Sequence, residues 1–252
     1  MTPLERAGYL AHARKIGRRV AEAEDVLRRA AEIGQLVVMV SWGKDSVVAA
    51  DLALRALGRV PLLHIASSYR LPGWERVQTH FEARTDVHVI ESRRSLAETI
   101  EWLRDVGLPH ERTRARQAAV VKAIKKDVGS AWCREHGFRV MVLGMRAEEN
   151  QHTRGRLFRR RGLLYAAHGV HVASPLGWWT ARDVWAYIVS RDLPWHTMYD
   201  MQTHGETRET LRNAGWLSTD GAERGRIAWL RAHYPAQYRM LVAEFPQVAA
   251  LA

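Results

Sequence analysis

One cysteine, Cys133, stands in a chain of 252 residues. No intramolecular disulfide can form, and thiolates of this chain alone cannot hold an iron–sulfur cluster. Long apolar runs are missing too. No stretch approaches the roughly 20 residues that cross a membrane, and the N-terminus carries no apolar secretion segment, so the cytoplasm is the expected compartment. Lysine is scarce: it supplies five of the 38 basic residues, and the other 33 are arginine. Against 27 acidic residues the formal net charge is +11, with a pI of about 10.4. Arginine contacts phosphate bidentately, so the charge favours phosphate-rich partners and makes nucleic acid a candidate partner. Genome base composition enriches arginine and alanine as well, so charge alone assigns nothing. At 47% hydrophobic and 26% charged, the chain suits one large α/β domain, or one domain with an appendage. Internal repeats and low-complexity linkers are lacking.

What is present begins at residues 36–46, Leu-Val-Val-Met-Val-Ser-Trp-Gly-Lys-Asp-Ser. A short apolar run reads as a buried strand, and the pattern from Val47 to Leu57 reads as a helix. A strand, a turn holding Gly43 and Lys44, then a helix start is a phosphate-binding arrangement. Helix-start N–H groups lack intrahelical partners and carry partial positive charge. Gly43 permits close approach of a phosphate, Lys44 adds a full charge, and the hydroxyls of Ser41 and Ser46 are donors. The Walker pattern does not fit. It needs glycine where Val38 stands, and Ser or Thr where Asp45 stands.

Strand and helix patterns alternate along much of the chain. Strands are expected at Leu36–Val40, Val60–Ala66, Val87–Glu91 and Val140–Gly144. A fifth is expected at Val170–Ala173, for which Leu163–Tyr165 competes. Helices are expected over Val47–Leu57, Gly73–Ala83, Ser95–Val106 and Ala115–Glu135. This alternation predicts an α/β fold, a doubly wound, mostly parallel five-stranded sheet. A long N-terminal helix is expected from Thr2, with Pro3 and a capping box to Glu5, up to Ile33. A second capping box, Thr180 to Asp183, opens a helical extension that continues with the stripe Tyr234, Tyr238, Leu241, Val242 and Phe245, interrupted near Pro235. The expected divisions are an N-terminal helix over 1–34, a nucleotide-binding domain over 35–175 and a C-terminal helical extension over 176–252. In open parallel sheets, ligands bind beyond the strand C-termini. The loops 41–46, 66–73 and 144–154 all follow strands, so they converge at one edge.

Cys133 and His136 lie three apart in a helical pattern, half a metal site at most. His168 and His171 repeat that spacing, which 12 histidines produce by chance. Cys133 reads as a packed helix cysteine.

Three stretches carry a family resemblance. Ser41–Ser46 resembles the PP-loop of ATP pyrophosphatases, Ser-Gly-Gly-Lys-Asp-Ser, with Trp42 in place of the first glycine. Gly144-Met145-Arg146-Ala147-Glu148-Glu149-Asn150 followed by Arg154 is similar to the Gly-Ile-Arg-Ala-Glu-Glu-Ser…Arg segment of the phosphoadenosine phosphosulfate (PAPS) reductase family. Ser174–Thr180, Asp183–Trp185, Leu193-Pro194 and Tyr199-Asp200 follow that family's pattern after its last core strand. Together they span most of residues 36–200. The resemblance implies an adenine nucleotide alpha hydrolase-like fold that binds ATP, cleaves it at the α-phosphate, adenylates an acceptor and releases pyrophosphate.

On that resemblance, Ser41, Gly43, Lys44 and Ser46 would hold the departing pyrophosphate. Trp42 would either narrow the loop or wall the nucleotide pocket. Ala66 and Ser67 would line the adenosine pocket, and Asp45 would help position Mg²⁺. Arg146 and Arg154, beside Gly144, would contact the α-phosphate or the acceptor. Glu148 or Glu149 would activate the acceptor or bind metal. Lys44, Asp45, Arg146 and Glu148 are thus the implied catalytic residues, and the acceptor receives sulfur, nitrogen or another group. Nucleic-acid modification with a partner protein is a natural extension. Separately from the resemblance, the runs Arg154, Arg156, Arg159, Arg160, Arg161 and Arg112, Arg114, Arg116 read either as solvated surface charge or, from their placement beside the nucleotide motifs, as contacts to substrate phosphate. Two rival readings stand beside adenylation. A sulfonucleotide reductase needs a nucleophilic cysteine in a C-terminal Glu-Cys-Gly-Leu-His segment, and nothing after Cys133 supplies one. A non-catalytic nucleic-acid-binding module would use the arginines alone.

Overall fold

The computed structural model describes residues 1–66, 71–91, 127–202, 206–211, 226–244 and 246–251. The chain divides into two compact units. The first is Met1–Ile65, Gly73–Ile90 and Gly129–Asp200; the second is Ala66–Pro72, Glu91–Val128 and Met201–Ala252.

Six strands form one sheet: β1 (Leu36–Val40), β2 (Leu62–Ala66), β3 (Val87–Glu91), β4 (Val140–Val142), β5 (Leu164–Ala167) and β6 (Val170–Ala173), in the order β3-β2-β1-β4-β6-β5. β1 runs parallel to β2 and to β4, and β4 runs parallel to β6. The mostly parallel, doubly wound sheet follows the sequence expectation. The strand number does not, because both competitors for the fifth strand are strands. β5 lies antiparallel outside β6. His168 and Gly169 join them with φ of 55° and 76°, the left-handed pair that a tight two-residue hairpin requires. A histidine in the first of those positions hides the turn from a search for Asn-Gly.

The expected single N-terminal helix is two, α1 (Pro3–Ala13) and α2 (Gly17–Ile33). The chain breaks at Arg14–Ile16, where Ile16 turns into the interior. The first capping box is formed, with Glu5 N–H donating to Thr2 Oγ1 at 3.2 Å and Thr2 N–H to Glu5 Oε2 at 2.7 Å. α3 (Lys44–Leu57) follows β1, α4 (Glu75–Glu82) follows β2, and α5 (Asp127–Glu135) precedes β4. α6 (Arg156–Arg161) precedes β5, and α7 (Ala181–Ser190) follows β6. The expected helix over Ser95–Val106 and the first part of Ala115–Glu135 lie outside the described residues.

α7 is apolar on nearly every side and buries Val184, Trp185, Tyr187, Ile188 and Val189. Tyr9 of α1 reaches the Trp185 ring at 6.2 Å. Asp183 accepts from Thr180 N–H at 2.8 Å, lies 2.7 Å from His12 Nε2 and 3.2 Å from Arg19 Nε. Burial pushes this carboxyl up, but its hydrogen bonds outweigh burial and hold it below the usual carboxylate range. A helix cap therefore also anchors both N-terminal helices.

In the second unit, α8 (Arg226–His233) and α9 (Pro235–Glu244) meet at Pro235. Trp229 Nε1 donates to Met201 O at 2.7 Å, and Tyr234 OH donates to Pro72 O at 3.4 Å. Phe245 and Ser67 lie outside the described residues, as do Arg112, Arg114 and Arg116. Among the described residues no helix is long and apolar enough to cross a membrane.

Candidate active site

β1 has β2 on one side and β4 on the other. The strand order reverses there, and a doubly wound sheet opens its ligand crevice at that point. The 41–46 loop leaves β1 and the 143–150 loop leaves β4, so two of the motif segments meet at the switch. Their backbones touch: a Cβ on Gly144 would lie 2.7 Å from Asp45 C and 2.9 Å from Ser46 N. Only glycine fits at 144, and its place in the second motif is a packing requirement of the first.

The 41–46 loop is shaped from within. Ser46 Oγ donates to Gly43 O at 2.9 Å and accepts from Ser41 N–H at 3.2 Å. These bonds leave the amides of Gly43, Asp45 and Ser46 donating to no group among the described residues, at the start of α3. Gly43 has an ordinary extended backbone, φ −76°. The left-handed residue is Trp42, φ 58°. Its indole is fully buried, 5.3 Å from the His64 ring and 6.2 Å from that of Phe81. Trp42 therefore presents backbone, not indole, to the crevice. Ala66 ends β2.

Lys44, Asp45, Arg146 and Glu148 form a chain of alternating charge. Lys44 Nζ lies 3.2 Å from Asp45 Oδ2, and Arg146 Nε donates to Asp45 Oδ1 at 2.6 Å. Arg146 Nη1 also pairs with Glu148, and Arg154 pairs with Glu149. Burial pushes the Asp45 carboxyl up, but Lys44 and Arg146 outweigh it and hold it below its ordinary range. Burial likewise opposes charge on Lys44, but Asp45, Tyr199 and Glu149 together outweigh it and hold the ammonium above its ordinary value. Glu148 further accepts from Ala181 N–H at 2.6 Å. That bond ties it to the start of α7. Glu149 bonds the Arg146 amide at 3.3 Å. All the sequence-derived candidates from 41–46 and 144–154 thus sit together.

Sequence reasoning missed Tyr199, whose hydroxyl accepts the Lys44 N–H at 3.1 Å. The Leu-Pro…Tyr-Asp segment was the available signal. It missed Asp51 too, a fully buried carboxylate on α3. Asp51 accepts from Arg55 Nε and Arg84 Nη1, each at 2.7 Å, and from Tyr187 OH at 2.9 Å. Cys133 is buried in the core with Val37, Leu63 and Met141, and burial pushes its thiol up to about 12. Among the described residues no group of three or more His, Cys, Asp or Glu converges to hold a metal.

A PP-loop at the switch point of a doubly wound sheet defines a nucleotide-binding α/β protein of the PP-loop class. The phosphoadenosine phosphosulfate reductase domain matches residues 35–217, and the chain belongs to that family. It is 28% identical over 224 residues to the sulfate adenylyltransferase subunit 2 of Streptomyces lavendulae, covering 79% of this chain and 66% of that one. It is 24% identical over 169 residues to the phosphoadenosine 5'-phosphosulfate reductase of Gloeobacter violaceus, covering 66% of each. The chain thus spans just under two thirds of the length of both relatives. The fold is shared with a crystal structure of Candida auris PAPS reductase in complex with phosphate: TM-score 0.53, 17% identity, 80% of this chain and 97% of that one. It is shared also with Candida glabrata FMN adenylyltransferase in complex with FMN and an ATP analogue: TM-score 0.52, 15% identity, 83% and 72% coverage.

Proposed function

We propose that this chain binds ATP with its β- and γ-phosphates on the 41–46 loop, adenylates an acceptor and releases pyrophosphate. The observation that carries the reading is the set of amides of Gly43, Asp45 and Ser46 at the start of α3 that donate to no group among the described residues, beside the buried Lys44. Fixed donors aimed at the departing pyrophosphate stabilise the charge that develops there. In this reading Lys44 turns from Asp45 to the phosphates, and Arg146 and Arg154 face the α-phosphate or the acceptor.

Asp45 is the carboxylate that would hold Mg²⁺, a cation that takes one or two carboxylates and completes its shell with phosphate and water. The lack of a multi-carboxylate cage among the described residues fits that donor set. Bound Mg²⁺ supplies charge neutralisation on the phosphates. Adenylation is preferred to thiol-based reduction, because the thiol of Cys133 is buried and stays protonated at neutral pH.

The test is to follow labelled ATP with Mg²⁺ and candidate acceptors, including DNA and tRNA. AMP and pyrophosphate are the expected products, and ADP as the main product overturns the reading. Lys44→Ala should weaken ATP binding roughly 10- to 100-fold, the worth of a charged phosphate contact. Wild-type affinity in that variant removes Lys44 from the site.

A nucleic-acid acceptor belongs to the same proposal, supported by the exposed arginines that follow the second motif. Arg156, Arg159 and Arg160 are exposed on α6. Arg161 is spoken for, since its Nη2 donates to Ala166 O at 2.7 Å and its guanidinium stacks on Tyr165 at 5.2 Å. Arg159→Ala with Arg160→Ala should therefore lower the salt slope of DNA or RNA binding by roughly two. An unchanged slope leaves these residues as plain surface charge.

A further inference from the structure

We propose that Tyr199 is the positioning residue of Lys44, holding the lysine at both ends in the orientation that meets a phosphate. This inference rests on the reading of the 41–46 loop as an ATP site. A lysine side chain is a flexible stem that loses much rotamer freedom when fixed. In this protein one neighbour supplies two restraints. The Tyr199 hydroxyl accepts the Lys44 amide at 3.1 Å, and the Lys44 ammonium sits 5.5 Å from the centre of the Tyr199 ring. The ring holds the cation from one direction while Asp45 holds it from another. On this proposal the ring keeps its hold on the side chain when the ammonium exchanges Asp45 for a phosphate.

Tyr199 is itself fixed. It lies in the single turn Thr197–Asp200, its amide donates to His196 O at 3.1 Å, and its ring stands edge-on to Trp185 at 5.2 Å. The same turn is clamped to the segment after β2, where Thr197 N–H donates to Gly73 O at 3.1 Å. Gly73 has φ +108°, and a Cβ there would overlap Thr197 Oγ1. Burial pushes the Tyr199 phenol upward, so its oxygen remains a neutral acceptor.

The test is calorimetric titration of ATP into the full chain, as wild type and with Tyr199→Phe, Tyr199→Leu, Lys44→Ala and each double variant. Tyr199→Phe should bind ATP about fivefold more weakly through loss of one hydrogen bond. Tyr199→Leu should lose about 20- to 50-fold, because the cation–π contact goes as well. In the Lys44→Ala background neither change should alter affinity by more than about twofold, since Tyr199 acts through Lys44. Equal losses in both backgrounds would make Tyr199 merely structural and overturn the proposal. Unchanged or tighter binding by Tyr199→Phe also overturns it, the latter showing that the hydroxyl competes with nucleotide. No ATP binding by wild type overturns the ATP-site reading itself, a result distinct from the others. If Tyr199→Leu does not fold, Tyr199→Phe, which differs by one oxygen atom, carries the test.

Discussion

Replacing Trp42 by glycine is expected to destabilise the protein by about 3 kcal/mol, although glycine is the residue the PP-loop pattern carries there. Two effects oppose. Truncating a large aromatic in a packed core removes roughly 3–5 kcal/mol. The indole of Trp42 is fully buried against His64 and Phe81, so the loss should be of that size. Relief of the left-handed backbone at φ 58° returns about 1–2 kcal/mol. The greater chain entropy of glycine takes back about 0.5–1 kcal/mol. Packing wins. A urea titration should show a lower midpoint with an unchanged slope. A midpoint at or above wild type would mean that backbone strain, not packing, governs this position.

Asp51→Ala is expected to cost about 3 kcal/mol, at the low end for breaking a buried ion pair. The low end applies because Arg55 and Arg84 reach solvent when their partner goes, with 42% and 31% of their side chains exposed. Tyr187 does not, and its buried hydroxyl loses its acceptor. Burial pushes the Asp51 carboxyl up, but the bonds from Arg55, Arg84 and Tyr187 outweigh it and set the folded-state pKa below the ordinary value. A depressed folded-state pKa gives stability that is present above about pH 4 and is lost as pH falls through the folded value. Wild type and Asp51→Ala should thus differ most near neutral pH and converge in acid. Unfolding midpoints between about pH 3 and 7 measure this. A constant difference across the range would assign the effect to packing instead of charge.

The sequence carried the parallel sheet plainly, because apolar runs such as Leu36–Val40 and Val140–Val142 are buried on both faces and need no alternation to be seen. Both capping boxes were legible because their residues are neighbours in the chain. What escaped was non-local or disguised. Asp51 reads as one polar residue in an apolar helix until Arg84 and Tyr187 arrive from other elements. Tyr199 stands 155 residues from the lysine it touches. The β5–β6 hairpin was hidden by a histidine in a left-handed position. The break at Arg14–Ile16 was masked by continuous helix-forming composition. Trp42 was seen as a departure from pattern, but the direction of its ring depends on the space between β2 and α4, which no local pattern encodes.

The alternating charges of the crevice have a kinetic consequence. Lys44, Arg146 and Arg154 are matched there by Asp45, Glu148 and Glu149, three cations against three carboxylates. Among the described residues of the crevice these charges cancel, so they contribute nothing to the +11 of the chain. On the proposed function, a phosphate-bearing ligand would be drawn by charge at a distance and gripped by partners that must first exchange their own. Long-range attraction is screened by salt, whereas contacts inside a buried crevice are screened much less. Capture and retention of that ligand would in this way be separated, with ionic strength acting on the rate of encounter and the exchange of internal pairs setting how long it stays.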